Sequence, residues 1–155
     1  MRSNAALADT FSGAVAVKMR GNGSRGVFAK ESFEPNAIIL HLRGSITTRP
    51  TRFTIQLSPG CHLEAPPLRD TDLALNYAWL FLNHSCDPNG YIDAGDRTLR
   101  AFRNIAVDEE ITFNYLTTEA KLAAPFSCSC GAANCFGRIR GYDFLSDDAL
   151  ENSVT

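Results

Sequence analysis

A chain of 155 residues is about one ordinary domain, long enough to bury a core without a disulfide scaffold. With 45% apolar and 21% charged residues it excludes collagen-like and disordered classes, and a net charge of −2 argues against direct nucleic-acid binding. No apolar run approaches the roughly 20 residues of a membrane span, and Met1 to Ala16 lacks the pattern of a secretion signal, so the sequence predicts an intracellular protein, cytoplasmic or nuclear, with no membrane partner. The charge is unevenly spread: residues 1–70 carry nine Lys and Arg against five Asp and Glu, residues 71–155 six against twelve. An acidic second half suits a basic peptide, and an ordinary solvated surface is the alternative.

Met1 to Thr10 reads as a tail or weak helix, part of a lead-in over residues 1–14. Ala14 to Met19 alternates as a strand does, runs into the glycine-rich turn Gly21 to Gly26, and resumes as a strand at Val27 to Ala29. Ile38 to Leu42 and Phe53 to Leu57 are further short β candidates between Gly, Thr and Pro punctuation, so the first half is predicted to be all β. From Asp72 to Leu82 the apolar content rises, with Asp70 or Thr71 available as a cap, and one short buried helix is expected, with Tyr77 and Trp79 in its core face. Gly90 to Ala94, Thr98 to Phe102 and Glu110 to Tyr115 return to strand composition, the last two joined by a turn over Ala106 to Glu109. Pro125 is a break ahead of the final cysteines, and Ser146 to Thr155 reads as tail.

Two segments carry chemistry on their own terms. Asn83-His84-Ser85-Cys86-Asp87-Pro88-Asn89 places polar and small residues directly after an apolar run, and polar groups entering a core need partners. A structural turn bent by Pro88 is the plain reading of that segment taken alone. Of the five cysteines, Cys128, Cys130 and Cys135 crowd together near the end, which in a reducing compartment points to metal before disulfide, with a redox or incidental cluster as the alternative.

These segments, with Glu109-Glu110-Ile111-Thr112-Phe113-Asn114-Tyr115 between them, resemble in order and separation the SET domain and post-SET tail of protein-lysine methyltransferases. The resemblance covers residues 15–141, with a SET domain over 15–118, a post-SET zinc-binding segment over 122–141 and a tail over 142–155. It implies a mainly β fold of several small sheets with a knot-like active site, one or two short helices and a zinc-bound C-terminal segment. It further implies S-adenosylmethionine as methyl donor and a lysine-bearing protein or peptide as partner, a histone tail being the family's commonest target and another basic protein the alternative.

By the same resemblance, Gly23, Ser24, Arg25 and Gly26 form the cofactor loop, although Ser24 stands where many members have glycine. Asn83 and His84 resemble the pair that binds the methyl donor, and Tyr115 the catalytic tyrosine. Phe113 lies two residues earlier, on the same strand face, and resembles the position that tunes product multiplicity; a phenylalanine there leaves room for di- or trimethylation. Asn114, often aspartate in relatives, is expected on the other face with little effect on chemistry. Tyr77 is a second candidate for the substrate channel. Cys86 resembles the fourth ligand of a structural zinc held with Cys128, Cys130 and Cys135, a closed sulfur set with no open position for water. Cys61 is left over as a small buried residue, and Phe126 and Phe136 are candidates to cover the cofactor or the channel. A catalytically silent SET-like module that binds a peptide or partner is the main alternative, and a zinc-stabilised nucleic-acid-binding domain ranks behind it.

Overall fold

The alternation read at the start of the chain produces a hairpin: β1 (Val15–Met19) and β2 (Arg25–Ala29) pair antiparallel from Val15↔Ala29 to Met19↔Arg25. In this computed structural model, which describes residues 13–145, the expected tails Met1 to Thr10 and Ser146 to Thr155 lie outside the described residues. On the free edge of β2 lies β10 (Glu110–Phe113), and β10 in turn pairs in parallel with the two-residue strand β7 (Asn83–His84). Val27 and Ile111 face each other in the β2–β10 register and are wholly buried. Each such side chain contributes about 1.5–3 kcal/mol of hydrophobic stabilisation. The four-stranded sheet is thereby anchored where the two distant motifs meet.

Two three-stranded sheets complete the body. β3 (Ile38–His41), β9 (Thr98–Ala101) and β8 (Gly90–Asp93) form one, all antiparallel. β4 (Ser45–Thr47), β6 (Cys61–Glu64) and β5 (Ile55–Ser58) form the other. β4 and β6 escape a sequence reading because Ser-Ile-Thr and Cys-His-Leu-Glu contain too few apolar residues to register as strands; cross-strand pairing makes them. The strand expected from Phe53 starts instead at Ile55, leaving Phe53 exposed in the preceding turn. Cys61 is half-buried rather than buried.

The expected helix over Asp72 to Leu82 divides. An α-helix, α1 (Asp70–Asn76), ends at Tyr77, whose φ of −131° and ψ of 47° leave the helical region, and a 3-10 turn follows over Ala78–Phe81. Asp70 lies inside the helix, and Arg69 takes the capping position without a side-chain hydrogen bond. None of the α1 residues is buried, and Leu75 is 64% exposed. The reason is visible in the spacing: Leu73, Leu75, Tyr77, Trp79 and Phe81 recur every second residue, a period no single α-helix face accommodates. Only after the break do Ala78 and Trp79 reach the core, where the Trp79 indole N–H donates to the Arg43 carbonyl at 3.0 Å.

The C-terminal segment is held by β11 (Phe126–Ser127) paired with β12 (Arg138–Ile139), and the three late cysteines lie in the connection between them. Ile139, wholly buried, joins Cys86 and Leu116 in a second apolar cluster that fastens this segment to the body. Beyond it the chain passes close to itself at Gly141, where φ is 120° and an added Cβ would lie 2.3 Å from the Ala120 carbonyl oxygen. A Gly141→Ala variant is therefore expected to lose about 2 kcal/mol or more, read as a lower midpoint in urea unfolding.

Candidate functional site

A cleft of about 480 Å³ opens where β7, β10 and the C-terminal segment converge. Asn83, His84, Phe113 and Tyr115 line it, with Leu82 and Trp79 on the body side and Phe126 on the tail side. Its volume falls in the range typical of small-molecule sites.

β7 and β10 bring the pieces together through backbone pairing, with Thr112 opposite Asn83 and Phe113 opposite His84. The Asn-His-Ser-Cys-Asp-Pro-Asn segment is fastened at both ends by amides. The Asn83 amide donates to the Arg25 carbonyl at 2.8 Å and to Glu110 Oε1 at 2.9 Å. Asn89 is buried, donates to the Glu110 carbonyl at 2.7 Å and accepts from the Thr112 N–H at 2.9 Å. Glu110 Oε2 accepts from the Arg20 guanidinium at 3.1 Å, so the edge of the cleft carries an Arg20, Glu110, Asn83 chain. The Asn83 N–H donors and the buried Asn89 amide are thus satisfied by β2 and β10, as burial requires.

His84 sits at the junction. Its Nδ1 accepts the Tyr115 backbone N–H at 3.1 Å, which leaves Nε2 to carry the ring proton towards Cys86 Sγ, 3.2 Å away. Burial holds the imidazole pKa down at about 4, so the ring is neutral around pH 7. Tyr115 belongs to the short 3-10 turn Tyr115–Thr117 that follows β10, not to the strand as its composition suggested. The Asn114 side chain accepts from the Leu116 N–H and starts that turn. The Tyr115 hydroxyl donates to the Leu82 carbonyl at 2.6 Å, while burial, followed by the charges of Glu119 and Glu110, drives its pKa up. It is a neutral phenol whose proton is committed and whose oxygen lone pairs are left to accept.

Aromatic rings wall this hydroxyl. Phe113 stands 4.8 Å from the Tyr115 ring, centroid to centroid, and the Phe126 ring meets both Tyr115 and His84 edge-on at 5.9 and 5.7 Å. Phe136 packs instead among the cysteines. Tyr77 packs against the main core and is absent from the cleft wall, whereas Trp79 serves both. The residues of the glycine loop, Gly23, Ser24, Arg25 and Gly26, also lie off the wall, behind Asn83. Gly26 is needed for a local reason: a Cβ there would meet Glu110 Oε1 at 2.5 Å and Asn83 Nδ2 at 3.2 Å. Arg25 is engaged with Asp70 and lies over the Phe81 ring at 4.4 Å.

Several wall residues gave no signal in the sequence. The segment Thr51 to Ile55 forms one side. Glu119, only 8% exposed, forms part of another, where its Oε1 accepts the Gln56 N–H at 2.7 Å while Gln56 Oε1 accepts the Ala120 N–H at 2.9 Å. A single acid between Leu116 and Leu122 was the one available hint. Apart from Glu119, the described acids of the second half line no part of the cleft: Asp93 and Asp96 face Arg100, Glu109 faces Arg103, and Asp108 faces Lys18. Apart from the cysteines, the ionisable side chains of the wall that carry charge are Arg20, Arg52 and Glu119.

Beside the cleft, the Sγ atoms of Cys86, Cys128, Cys130 and Cys135 all lie within 4.8 Å of one another, and all four are free thiols. Thiolates about 2.3 Å from a tetrahedral zinc sit about 3.8 Å apart. The Cys86 to Cys128 separation of 3.9 Å fits. Burial pushes the Cys86 and Cys128 thiols up, as expected of thiolates crowded together without a cation. Burial opposes ionisation of Cys130 too, but backbone N–H donation led by Ala132, with the neighbouring thiols, brings it to about 6. The donor set can hold one zinc with no position left open. For the methyl donor, the fit rests on Asn83, which lines the cleft with its Nδ2 committed and its Oδ1 without a hydrogen-bond partner among the described residues. The reduced chain is expected to bind one zinc ion, and chelation to speed hydrogen exchange across residues 122–141 while β1 and β2 stay protected, as followed by mass spectrometry.

The sequence model of the family described as "SET domain" matches residues 24–116. A protein named Methyltransferase flvH, from Aspergillus flavus, is 34% identical over 102 residues, 64% of this chain and 52% of that protein. A histone-lysine N-methyltransferase, H3 lysine-36 specific, from Gibberella zeae is 32% identical over 131 residues, 75% of this chain but 14% of that protein. The chain thus spans about half the length of the first relative and a small part of the second. Among solved structures, KRYPTONITE in complex with mCHG DNA and SAH superposes with a TM-score of 0.60 at 22% identity, over 80% of this chain and 28% of that one, a likeness of fold. No described helix is long and apolar enough to cross a membrane.

Proposed function

The chain belongs to the SET-domain family, and from that premise we propose that it transfers methyl groups from S-adenosylmethionine to the side-chain amine of a protein lysine. One observation carries the reading: a neutral, half-buried phenol, Tyr115, whose proton is held by the Leu82 carbonyl, in a cleft walled by Phe113, Phe126 and the Asn83-His84 pair. S-adenosylmethionine, when bound, supplies a methyl group on a cationic sulfur. Asn83 and His84 are the residues that would hold it, with the adjoining Gly23 to Gly26 loop reached through the Arg25 carbonyl.

A free lysine amine has a pKa of ~10.4 and attacks only when neutral. Beside Tyr115 the rings of Phe113 and Phe126 disfavour the charged ammonium, and the Tyr115 oxygen accepts an N–H from the amine and aims its lone pair. Orientation of this kind supplies most of the acceleration, without a dedicated base. His84 acts at one remove: by accepting the Tyr115 backbone N–H it fixes the start of the turn on which the phenol stands. Zinc held by Cys86, Cys128, Cys130 and Cys135 would be structural, keeping Phe126 over the phenol. The domain division proposed with this activity is a SET domain over residues 15–118 and a post-SET segment over 122–141. Histone H3 is the first substrate to try, since relatives are named for H3 lysine-36 methylation and KRYPTONITE, a related fold, has been solved in complex with an H3(1-15) peptide. A nuclear location would accompany that substrate.

Labelled S-adenosylmethionine with a panel of histones and lysine peptides tests the proposal. Label on lysine is expected, with Tyr115→Phe losing about a hundredfold or more in rate while the fold is retained. Cofactor binding without label on any substrate would favour a silent binding module instead. Phe113, buried at 3% exposure beside Tyr115, offers no hydroxyl to restrain a methylated amine. Mass spectrometry at exhaustive turnover is expected to find di- or trimethyllysine, and Phe113→Tyr to shift the product towards monomethyl.

A further inference from the structure

The cleft holds one acid, Glu119, and its environment is unusual for a carboxylate. The residue is 8% exposed, yet among the described residues no cation is paired with it. Its Oε1 is occupied, accepting the Gln56 N–H at 2.7 Å and the Thr118 hydroxyl at 3.3 Å. Its Oε2 has no hydrogen-bond partner among the described residues, and the Glu119 side chain lines the cleft. The carboxylate is also fixed in place: the Glu119 N–H donates to the Tyr115 carbonyl at 2.9 Å, and the reciprocal Gln56 to Ala120 bond closes the clamp.

We propose that Glu119 is the residue that receives the substrate's ammonium group, with Oε2 as the acceptor at the wall of the cleft that leads to Tyr115. A buried, unpaired carboxylate is costly, and a cation arriving from outside removes that cost as it binds. Burial accordingly raises the Glu119 pKa, the response of a carboxylate whose counter-ion is missing. Arg20 and Arg52, the other charged residues of the wall, repel a cation and leave Glu119 as the one acid at which it can settle. Arg20 is already engaged by Glu110. The site therefore selects an alkylammonium over a neutral side chain of the same length before any methyl is transferred. Glu119 serves recognition here; Tyr115 serves orientation.

This inference deepens the lysine reading and rests on it for the identity of the amine, but its test requires no methyl transfer. Trp79 is the only tryptophan of the chain and lines the cleft, so its fluorescence reports occupancy. The zinc-loaded full chain is titrated with n-butylammonium chloride and, separately, with n-butanol. The wild type is expected to show a saturable change with the ammonium and about tenfold weaker response to the alcohol, and Glu119→Gln to erase that difference. The glutamine can still accept the Gln56 N–H through Oε1, so the clamp and the unfolding midpoint are expected to survive. Equal selectivity in the wild type and Glu119→Gln, no preference for the ammonium, or no saturable change would each overturn the proposal and leave Glu119 as a structural clamp. Ammonium selectivity in a protein that labels no lysine would sink the lysine reading alone.

Discussion

The structure depends on one short pairing, the parallel contact of β7 with β10. It spans two residues on each strand, too little backbone to be stable unaided, and side chains make up the difference. Asn83 and Asn89 clamp the two ends of the segment to β2 and β10, while His84 accepts the Tyr115 N–H and turns its other nitrogen to Cys86. A single imidazole thereby connects the phenol of the cleft to the thiol cluster. Loss of that ring would act on the cleft and on the cysteine set together, since the half-buried imidazole touches both.

The motifs that meet at this pairing were the most readable part of the sequence, and for a physical reason. Asn83 to Asn89 puts polar groups where an apolar run should continue, and burial of such groups is tolerated only with fixed partners. The late cysteines were readable through crowding, and the four thiols do gather as the resemblance implied. What was not readable depended on partners far away in sequence. β4 and β6 are strands because they pair with each other and with β5, not because of their own residues. The helix ends at Tyr77 because its apolar positions recur every second residue and give no single buried face, and only the 3-10 turn after the break turns inward.

The glycine loop is instructive in the same way. At Gly26 the space left by the missing Cβ is taken by Glu110 and Asn83. The residue next to it, Arg25, contributes its carbonyl to Asn83 and its guanidinium to Asp70 and the Phe81 ring. Glycine here admits a side-chain network that positions Asn83, so the loop and the Asn-His pair form one unit even though only the latter lines the cleft.

Charge shows why totals mislead about sites. Twelve acids in the second half of the chain suggested a basic ligand, but most of the described ones face arginine or lysine at the surface, where such pairs contribute little. Glu119 differs through its setting: it is buried, clamped by Gln56 and without a cation. Electrostatic interactions strengthen as water is excluded, so one carboxylate in an apolar cleft outweighs several solvated ones in choosing a ligand. The same exclusion of water keeps the Tyr115 phenol neutral and the His84 ring uncharged. Among the described residues Glu119 is thus the one carboxylate on the cleft wall, and the aromatic and amide groups around it act by shape and by hydrogen bonds of fixed direction.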